Sequence, residues 1–311
     1  MKVIVTGGAG FIGSNIVDTL IEMGNEVIVI DNESAICHES FYWNDKAHNY
    51  KFDICDYENI RPLFDGVNYV FHLAAEARIQ PSLLNPLLTV KTNSLGTSTI
   101  LQCSREAGVK RVIYSSTSSS YGRKHSNLLE KGQTGYTEDL EEDCLTPYSV
   151  SKVNGEKMCK LYSSLFNLDT VTLRYFNVYG RREPTRGQYA PVIGLFLRQV
   201  ACDQPMTIVG DGEQRRDFTN IADVVMANIM CMEYSGTFNG EVYNVGTGRN
   251  YSINELADIV GGSTNTLKGF KVYIPERKGE SRVTLANCDK IKRKIGWFPK
   301  RFLEEYIKGK M

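Results

Sequence analysis

Residues 3–17, VIVTGGAGFIGSNIV, read as a strand, a tight glycine turn and a helix, and this order restricts the possible folds more than any other stretch of the chain. Gly7, Gly10 and Gly13 are spaced GxxGxxG. A turn this tight needs one glycine, close approach of a diphosphate to the backbone needs a second, and packing of the helix near the strand needs a third. The N–H groups of the helix's first turn then face the phosphates. In a chain with 27 glycines the spacing alone is weak evidence, so the context decides. A second strand, Glu26–Asp31, follows and ends in an acid placed to bind a ribose 2′-hydroxyl and to repel a 2′-phosphate. The segment predicts a site for NAD rather than NADP.

Strand-like runs rich in Val and Ile recur at Lys2–Thr6, Glu26–Asp31, Tyr50–Ile54, Tyr69–Leu73, Arg111–Ser115 and Thr170–Tyr175, with helical patterns between most of them. Apolar strands alternating with helices predict an α/β fold, a Rossmann-type doubly wound parallel sheet covered on both faces. After Tyr179 proline and glycine thicken, as in Arg182–Gly187 and Val209–Gly212, and the alternation breaks down. This predicts a smaller, mostly C-terminal α/β region packed at the carboxyl ends of the strands, where open sheets bind ligands. The expected division gives 1–178 and 219–247 to the NAD side, and 179–218 and 248–311 to the substrate side. Asp53, in FDICD, is expected to end the third strand, where it either meets the adenine end of the cofactor or is a solvated turn acid.

Thirty-six basic and thirty-six acidic residues leave no global field to favour nucleic acid or an anionic membrane. The eight cysteines, at 37, 55, 103, 144, 159, 202, 231 and 288, stand at least 15 positions apart, which excludes a CxxC zinc or redox pair; no metal site is expected. Scattered single cysteines suit a reducing compartment. No apolar run approaches the roughly 20 residues of a membrane span, and the N-terminus enters a strand at once, without room for a signal peptide. A cytoplasmic location is expected.

A Tyr and a Lys spaced YxxxK lie one helical turn apart on the same face, so the ammonium can lower the phenol's pKa from about 10 and let it shuttle protons. Three such pairs occur: Tyr42/Lys46, Tyr148/Lys152 and Tyr306/Lys310. The first lies in a polar stretch and the last at the C-terminus. Tyr148 begins a helical run, PYSVSKVNGEKMCKLY, after a strand that ends in the hydroxyl-rich Ser115–Ser120, and only this pair is placed to sit over a nicotinamide. His72, inside an apolar strand, reads as a satisfied core histidine.

Over nearly its full length the chain resembles the extended short-chain dehydrogenase/reductase family of nucleotide-sugar epimerases and dehydratases. The resemblance rests on TGGAGFIG, HLAA at 72–75, Asn93 in NSLGT, SSTSSSYG, YSVSK, RYFNVYG, GDGEQRRDF, YNVGTG and RKGE. It implies that Thr117, four residues before the Tyr of the YG pair, hydrogen-bonds the reacting sugar hydroxyl, that Tyr148 removes its proton and that Lys152 holds the nicotinamide ribose. It implies cofactor contacts from Gly7, Gly10, Phe11, Ile12, Gly13, Asp31, Asn32, Asp53, Ile54, Leu73, Ala74, Ala75, Asn93, Ser115, Tyr148, Lys152 and Tyr175. The segment Ala74–Arg78 would lie beside the nicotinamide, with no role assigned to Glu76, Ala77 or Arg78.

Relatives that are 4,6-dehydratases carry an Asp-Glu pair directly after the Thr, since elimination of water needs an acid and a base. Here Ser118 and Ser119 occupy those positions, which disfavours dehydration, and the missing Glu also disfavours sugar-acid decarboxylation. What remains is oxidation and re-reduction at one carbon: NAD would take a hydride from C4 of a UDP-hexose or UDP-N-acetylhexosamine and return it to the other face of the 4-keto sugar. The resemblance gives Asn177, Arg216, Arg277 and Glu280 to the diphosphate and nucleoside, and makes Thr284 a small gate residue that admits a 2-N-acetyl group. The family often dimerises through two helices per subunit, one of them the Tyr148 helix, so a homodimer is expected. Two other readings stand beside this one: an epimerase or reductase acting on a CDP-, GDP- or dTDP-sugar, and a non-catalytic NAD-binding regulator, which would be expected to have lost the Tyr or the Lys. The polar stretch Arg123–Asp143 reads as a lid, a partner surface or a solvated loop.

Overall fold

The computed structural model describes residues 1–35, 38, 40–126, 135–185, 190–262 and 270–310. Seven strands form one parallel sheet: β1 (Lys2–Thr6), β2 (Glu26–Ile30), β3 (His48–Tyr50), β4 (Tyr69–His72), β5 (Arg111–Thr117), β6 (Asp169–Tyr175) and a seventh strand, Glu241–Val245. Their spatial order is seventh strand, β6, β5, β4, β1, β2, β3. The chain runs outward from β1 to β3, then returns to β4 on the other side of β1. The resulting switch point, at the carboxyl ends of β1 and β4, is where such sheets leave a crevice.

Alternate residues of the strands enter different cores. Val3, Val5, Val27 and Val29 pack with Ile16, Val17 and Leu20 of helix α1 (Phe11–Glu22) and with Val224, Ala227 and Ile229 of the helix Ile221–Glu233. Ile4, Ile28 and Ile30 face the other way, against Ile100, Leu101 and Cys103 of the helix Gly96–Glu106 and Cys159 and Tyr162 of the helix Pro147–Phe166. The sheet is therefore doubly wound, as the alternation predicts. A third core, including Tyr179, Ile193, Phe196, Met206, Ile208, Phe218, Leu256 and Leu303, draws all its buried members from 179–218 and 248–311. Ile291 and Trp297, from inside the expected substrate side, instead join the first core, where the Trp297 indole donates to the Asp223 carbonyl at 3.0 Å.

Two strand expectations need correction. The third strand is His48–Tyr50 rather than Tyr50–Ile54: it pairs with Ile28–Ile30, and after Tyr50, whose carbonyl accepts from Asp31 N–H at 3.1 Å, the chain leaves the ladder. An edge strand with little burial needs no apolar run, so its sequence is polar. Asp53 consequently closes a turn, its Oδ1 accepting from Cys55 N–H at 2.9 Å, and ends no strand. The seventh strand pairs with β6 from Val171 to Tyr175 and was not among the expected runs. Of the polar stretch 123–143, residues 127–134 lie outside the described residues. Its described end at Tyr136 packs with Tyr121, Phe176 and Ala286.

Candidate active site

The glycine turn assigns a different constraint to each residue. Gly7 has φ +67°, and a Cβ there would lie 2.7 Å from the Ala74 nitrogen; a Cβ on Gly13 would lie 2.1 Å from the Gly7 carbonyl oxygen. A Cβ on Gly10 would meet nothing closer than 3.4 Å, because that position opens onto the crevice. No side chain caps α1, and its first residues Phe11, Ile12 and Gly13 line the crevice. Asp31 sits at the end of β2. Its carboxylate accepts from Ala9 N–H at 3.1 Å and Glu33 N–H at 2.8 Å, and burial raises its pKa. A wall of backbone N–H groups, a position without a side chain and a carboxylate one strand away fit a dinucleotide diphosphate and its adenosine ribose.

The crevice encloses about 410 Å³ and continues from the turn to the carboxyl end of β5. Thr117 is the last residue of β5; its hydroxyl accepts from Ser119 N–H and donates to Ser119 Oγ, both at 3.1 Å. Tyr148 stands in the first turn of the helix Pro147–Phe166, whose start is fixed by a reciprocal cap between Thr146 and Ser149, with Pro147 in the first turn. Lys152 follows one turn on, its ammonium 4.5 Å from the centre of the Tyr114 ring. Thr117, Tyr148 and Lys152 all line the crevice, with Ser115, Ser116, Ser118 and Ser119 beside them.

Burial dominates the electrostatics here. It lowers the Lys152 ammonium to about 8, against smaller opposing effects of Cys159 and Glu156. It raises the Tyr148 phenol, against which the Thr117 hydroxyl and the positive charge of Arg78 pull downward. The groups favouring the Tyr148 phenolate are thus Thr117 and Arg78, where the motif reading gave that part to Lys152. His72 is a core residue: its ring nitrogens lie 2.7 Å from Thr6 Oγ1 and 2.9 Å from Thr97 Oγ1, and burial lowers its pKa to about 3.

Most of the expected contact residues converge on the crevice: Asn32, Ile54, Leu73, Ala74, Ala75, Tyr175, Asn177, Arg277 and Glu280 join those above. Four stand back from its lining. Asp53 is held in its turn. Asn93 is a buried link: it accepts from Glu76 N–H at 2.8 Å and donates to the Glu76 carbonyl at 3.1 Å and to Ser151 Oγ at 2.9 Å. Arg216 lies behind Glu280, with Nη1 donating to the Arg215 and Arg282 carbonyls and Nη2 3.4 Å from Glu280 Oε2. Thr284 is buried under Asn177; its hydroxyl accepts from Asn177 Nδ2 and from Asp217 N–H, both at 3.1 Å. Any effect of Thr284 on sugar size would therefore pass through Asn177.

A family model described as the NAD dependent epimerase/dehydratase family matches residues 3–246. The chain belongs to that family. It is 33% identical over 318 residues to the UDP-glucuronate 4-epimerase of Thermodesulfobacterium geofontis, covering 98% of this chain and 93% of that one. It is 30% identical over 312 residues to the UDP-glucose 4-epimerase of Mycolicibacterium smegmatis, covering 99% and 96%. Among solved structures, the UDP-glucose 4-epimerase of Thermotoga maritima, with UDP-glucose, matches with a TM-score of 0.89 at 37% identity, covering 99% of this chain and 96% of that one.

The family cofactor is NAD, which the glycine turn and Asp31 fit. In this NAD-dependent family member the crevice also presents residues that the sequence left without a role. Arg78 lines it, and its Nε is buried without a hydrogen-bond partner among the described residues. Glu76 lies beside it, with its pKa raised by burial. His38, 3.5 Å from the place of a Gly10 Cβ, is lowered to about 4, chiefly by burial and then by Arg78. No local pattern marks His38. Arg78 stands three positions beyond the HLAA motif, and its basic character was the one available signal.

Proposed function

We propose that the chain catalyses NAD-dependent epimerisation at C4 of a UDP-hexose or UDP-N-acetylhexosamine through a transient 4-keto sugar. The observation that carries this reading is the convergence of Thr117, Tyr148 and Lys152 at one end of the crevice whose other end is the glycine turn. NAD, when bound, supplies a hydride acceptor and donor. Tyr148 takes the proton of the C4 hydroxyl and later returns it, its phenolate favoured by Thr117 and Arg78; Thr117 also holds that oxygen, and Lys152 orients the cofactor ribose. Ser118 and Ser119 beside Thr117 offer neutral hydroxyls where elimination would need carboxyl groups, which supports a reaction that ends without loss of water. Arg277 and Glu280 line the far wall, suited to a diphosphate and a ribose hydroxyl respectively.

A second reading is favoured by Arg78. A guanidinium nitrogen buried beside Tyr148 without a partner among the described residues suits an acidic sugar, so a UDP-hexuronate belongs on the substrate panel. The test is incubation of the purified protein, without added NAD, with UDP-glucose, UDP-N-acetylglucosamine and UDP-glucuronate, followed by NMR of the anomeric protons. Appearance of the C4 epimer of either neutral sugar supports the proposal. Turnover of the uronate alone would select the second reading, and inertness toward all three would reject both.

We also propose a homodimer. Leu84, Leu87 and Leu165 are 76%, 83% and 66% exposed, and Leu95, Val150 and Leu161 are exposed as well, on neighbouring helical segments of one face. Apolar area of this kind is characteristic of an interface. The wild-type protein should sediment at twice 35.0 kDa, and a Leu87→Asp/Leu165→Asp variant as a monomer; a wild-type monomer would contradict the assignment.

A further inference from the structure

The helix that carries Tyr148 and Lys152 is tied to the sheet by a buried ion pair that the reaction scheme above does not use. Glu156, one turn beyond Lys152, is 4% exposed, and Arg174 of β6 is 2% exposed. The guanidinium meets the carboxylate through two nitrogens, Nε to Oε1 at 2.9 Å and Nη2 to Oε2 at 2.7 Å. Ser116 of β5 donates to the same Oε1 at 2.5 Å. Ser116 is the residue next to Thr117, so a single carboxylate joins the strand that ends in Thr117, the neighbouring strand and the helix of Tyr148. A second tie lies one turn nearer the site: Tyr114 of β5 donates to the Lys152 carbonyl at 3.2 Å. It passes where a Cβ on Gly155 would lie 2.2 Å from the Tyr114 oxygen.

We propose that Glu156 is a positioning residue for Lys152: its carboxylate, clamped between Ser116 and Arg174, holds the helix in register with Thr117 and sets the charge that Lys152 experiences. This rests on the reading in which Lys152 acts as a cation.

A buried ion pair broken on one side leaves the other charge uncompensated, and that asymmetry gives the two halves of the pair opposite signs. Among the described residues, few groups face Lys152. Its own helix supplies Tyr148, Cys159 and Glu156; β5 supplies the Tyr114 ring; β4 supplies His72, which is kept neutral by burial; and β6 supplies Arg174 behind Glu156. Glu142, more exposed, lies 3.8 Å from Arg174. Burial favours loss of the Lys152 proton, and Glu156 opposes that loss. Removing Glu156's charge leaves Lys152 facing an Arg174 cation whose remaining carboxylate partner among the described residues is the more distant Glu142. Removing Arg174's charge leaves it facing an unshared carboxylate.

The experiment is an NMR titration of the protein as purified, carrying 13Cε-lysine, with the Lys152 signal identified by its loss in Lys152→Met. Glu156→Gln should shift the Lys152 midpoint down by about one pH unit, and Arg174→Met should shift it up by a similar amount. Glu156→Gln/Arg174→Met should return it close to wild type. If one single variant does not fold, the sign of the other and of the double variant decides. Midpoints that do not move, or that move in the same direction in both single variants, would overturn the proposal and leave the pair a packing element. The alkaline limb of the turnover profile should follow the same signs. Because the titration needs no substrate, an inactive substrate panel leaves this result readable.

Discussion

Tyr148→Phe is expected to lower kcat by about 10²–10⁴-fold while leaving the resident NAD and the melting temperature close to wild type. The phenol oxygen is the only atom removed, and the ring keeps its place in the first turn of a helix whose start is fixed by the Thr146–Ser149 cap and Pro147. The size of the effect follows from what the oxygen is asked to do. In the proposed reaction a C4 hydroxyl gives up its proton as the hydride leaves, and among the described residues no other side chain of the lining combines titration with a hydrogen-bonding approach to Thr117. Burial raises the phenol, so its activity in the middle pH range depends on the downward pull of Thr117 and Arg78. Thr117→Val should therefore slow turnover and displace its pH profile toward the alkaline side, where Tyr148→Phe has no titrating phenol left to displace. Cofactor content by absorbance after denaturation, with initial rates from pH 6 to 10, checks both variants. More than a tenth of wild-type activity in Tyr148→Phe would remove Tyr148 from the proton path.

The other large effect is expected at the glycine turn, where two substitutions separate folding from cofactor binding. Gly13→Ala places a methyl 2.1 Å from the Gly7 carbonyl oxygen and 2.8 Å from Gly8 Cα, and both are backbone atoms of the turn itself. The turn must open, at a cost of about 1–3 kcal/mol or more, and the protein should purify with a lower melting temperature and without NAD. Gly10→Ala meets nothing closer than 3.4 Å. It should melt like wild-type protein stripped of NAD and still fail to hold NAD, since its methyl projects into the crevice. Calorimetry and released NAD measured on the same preparations distinguish the two. Full NAD occupancy in Gly10→Ala would contradict the placement of the diphosphate at this turn.

The glycine turn and the acid after the second strand are legible because their constraints are local. Gly7, Gly10 and Gly13 each answer a different steric demand within seven residues, and Asp31 is fixed by the length of one strand–helix–strand unit. Thr117, Tyr148 and Lys152 were also readable, since a strand end and a helix start bring them together without help from distant sequence. The third strand was misplaced because an edge strand is excused from the apolar pattern: His48–Tyr50 is stabilised by its ladder to Ile28–Ile30, and a ladder leaves no mark on side-chain type. The substrate wall was harder for a related reason. Thr284 reaches Asn177 across 107 positions and Arg216 reaches Glu280 across 64, so which of each pair faces the crevice depends on packing between segments far apart in the chain. Arg78 and His38 belong to the same class. Their roles come from burial beside Tyr148 and Gly10, which no spacing rule encodes.

The central claim is that the hydride removed from C4 stays in the crevice and returns to the same carbon. It is tested most directly by giving the purified protein, with no cofactor added, a UDP-hexose carrying deuterium at C4, and following both epimers by NMR and mass spectrometry. The account predicts a C4 epimer that retains the deuterium at C4, with no net change at the nicotinamide absorbance band. Loss of the deuterium to solvent, or accumulation of a keto sugar together with reduced cofactor, would contradict it.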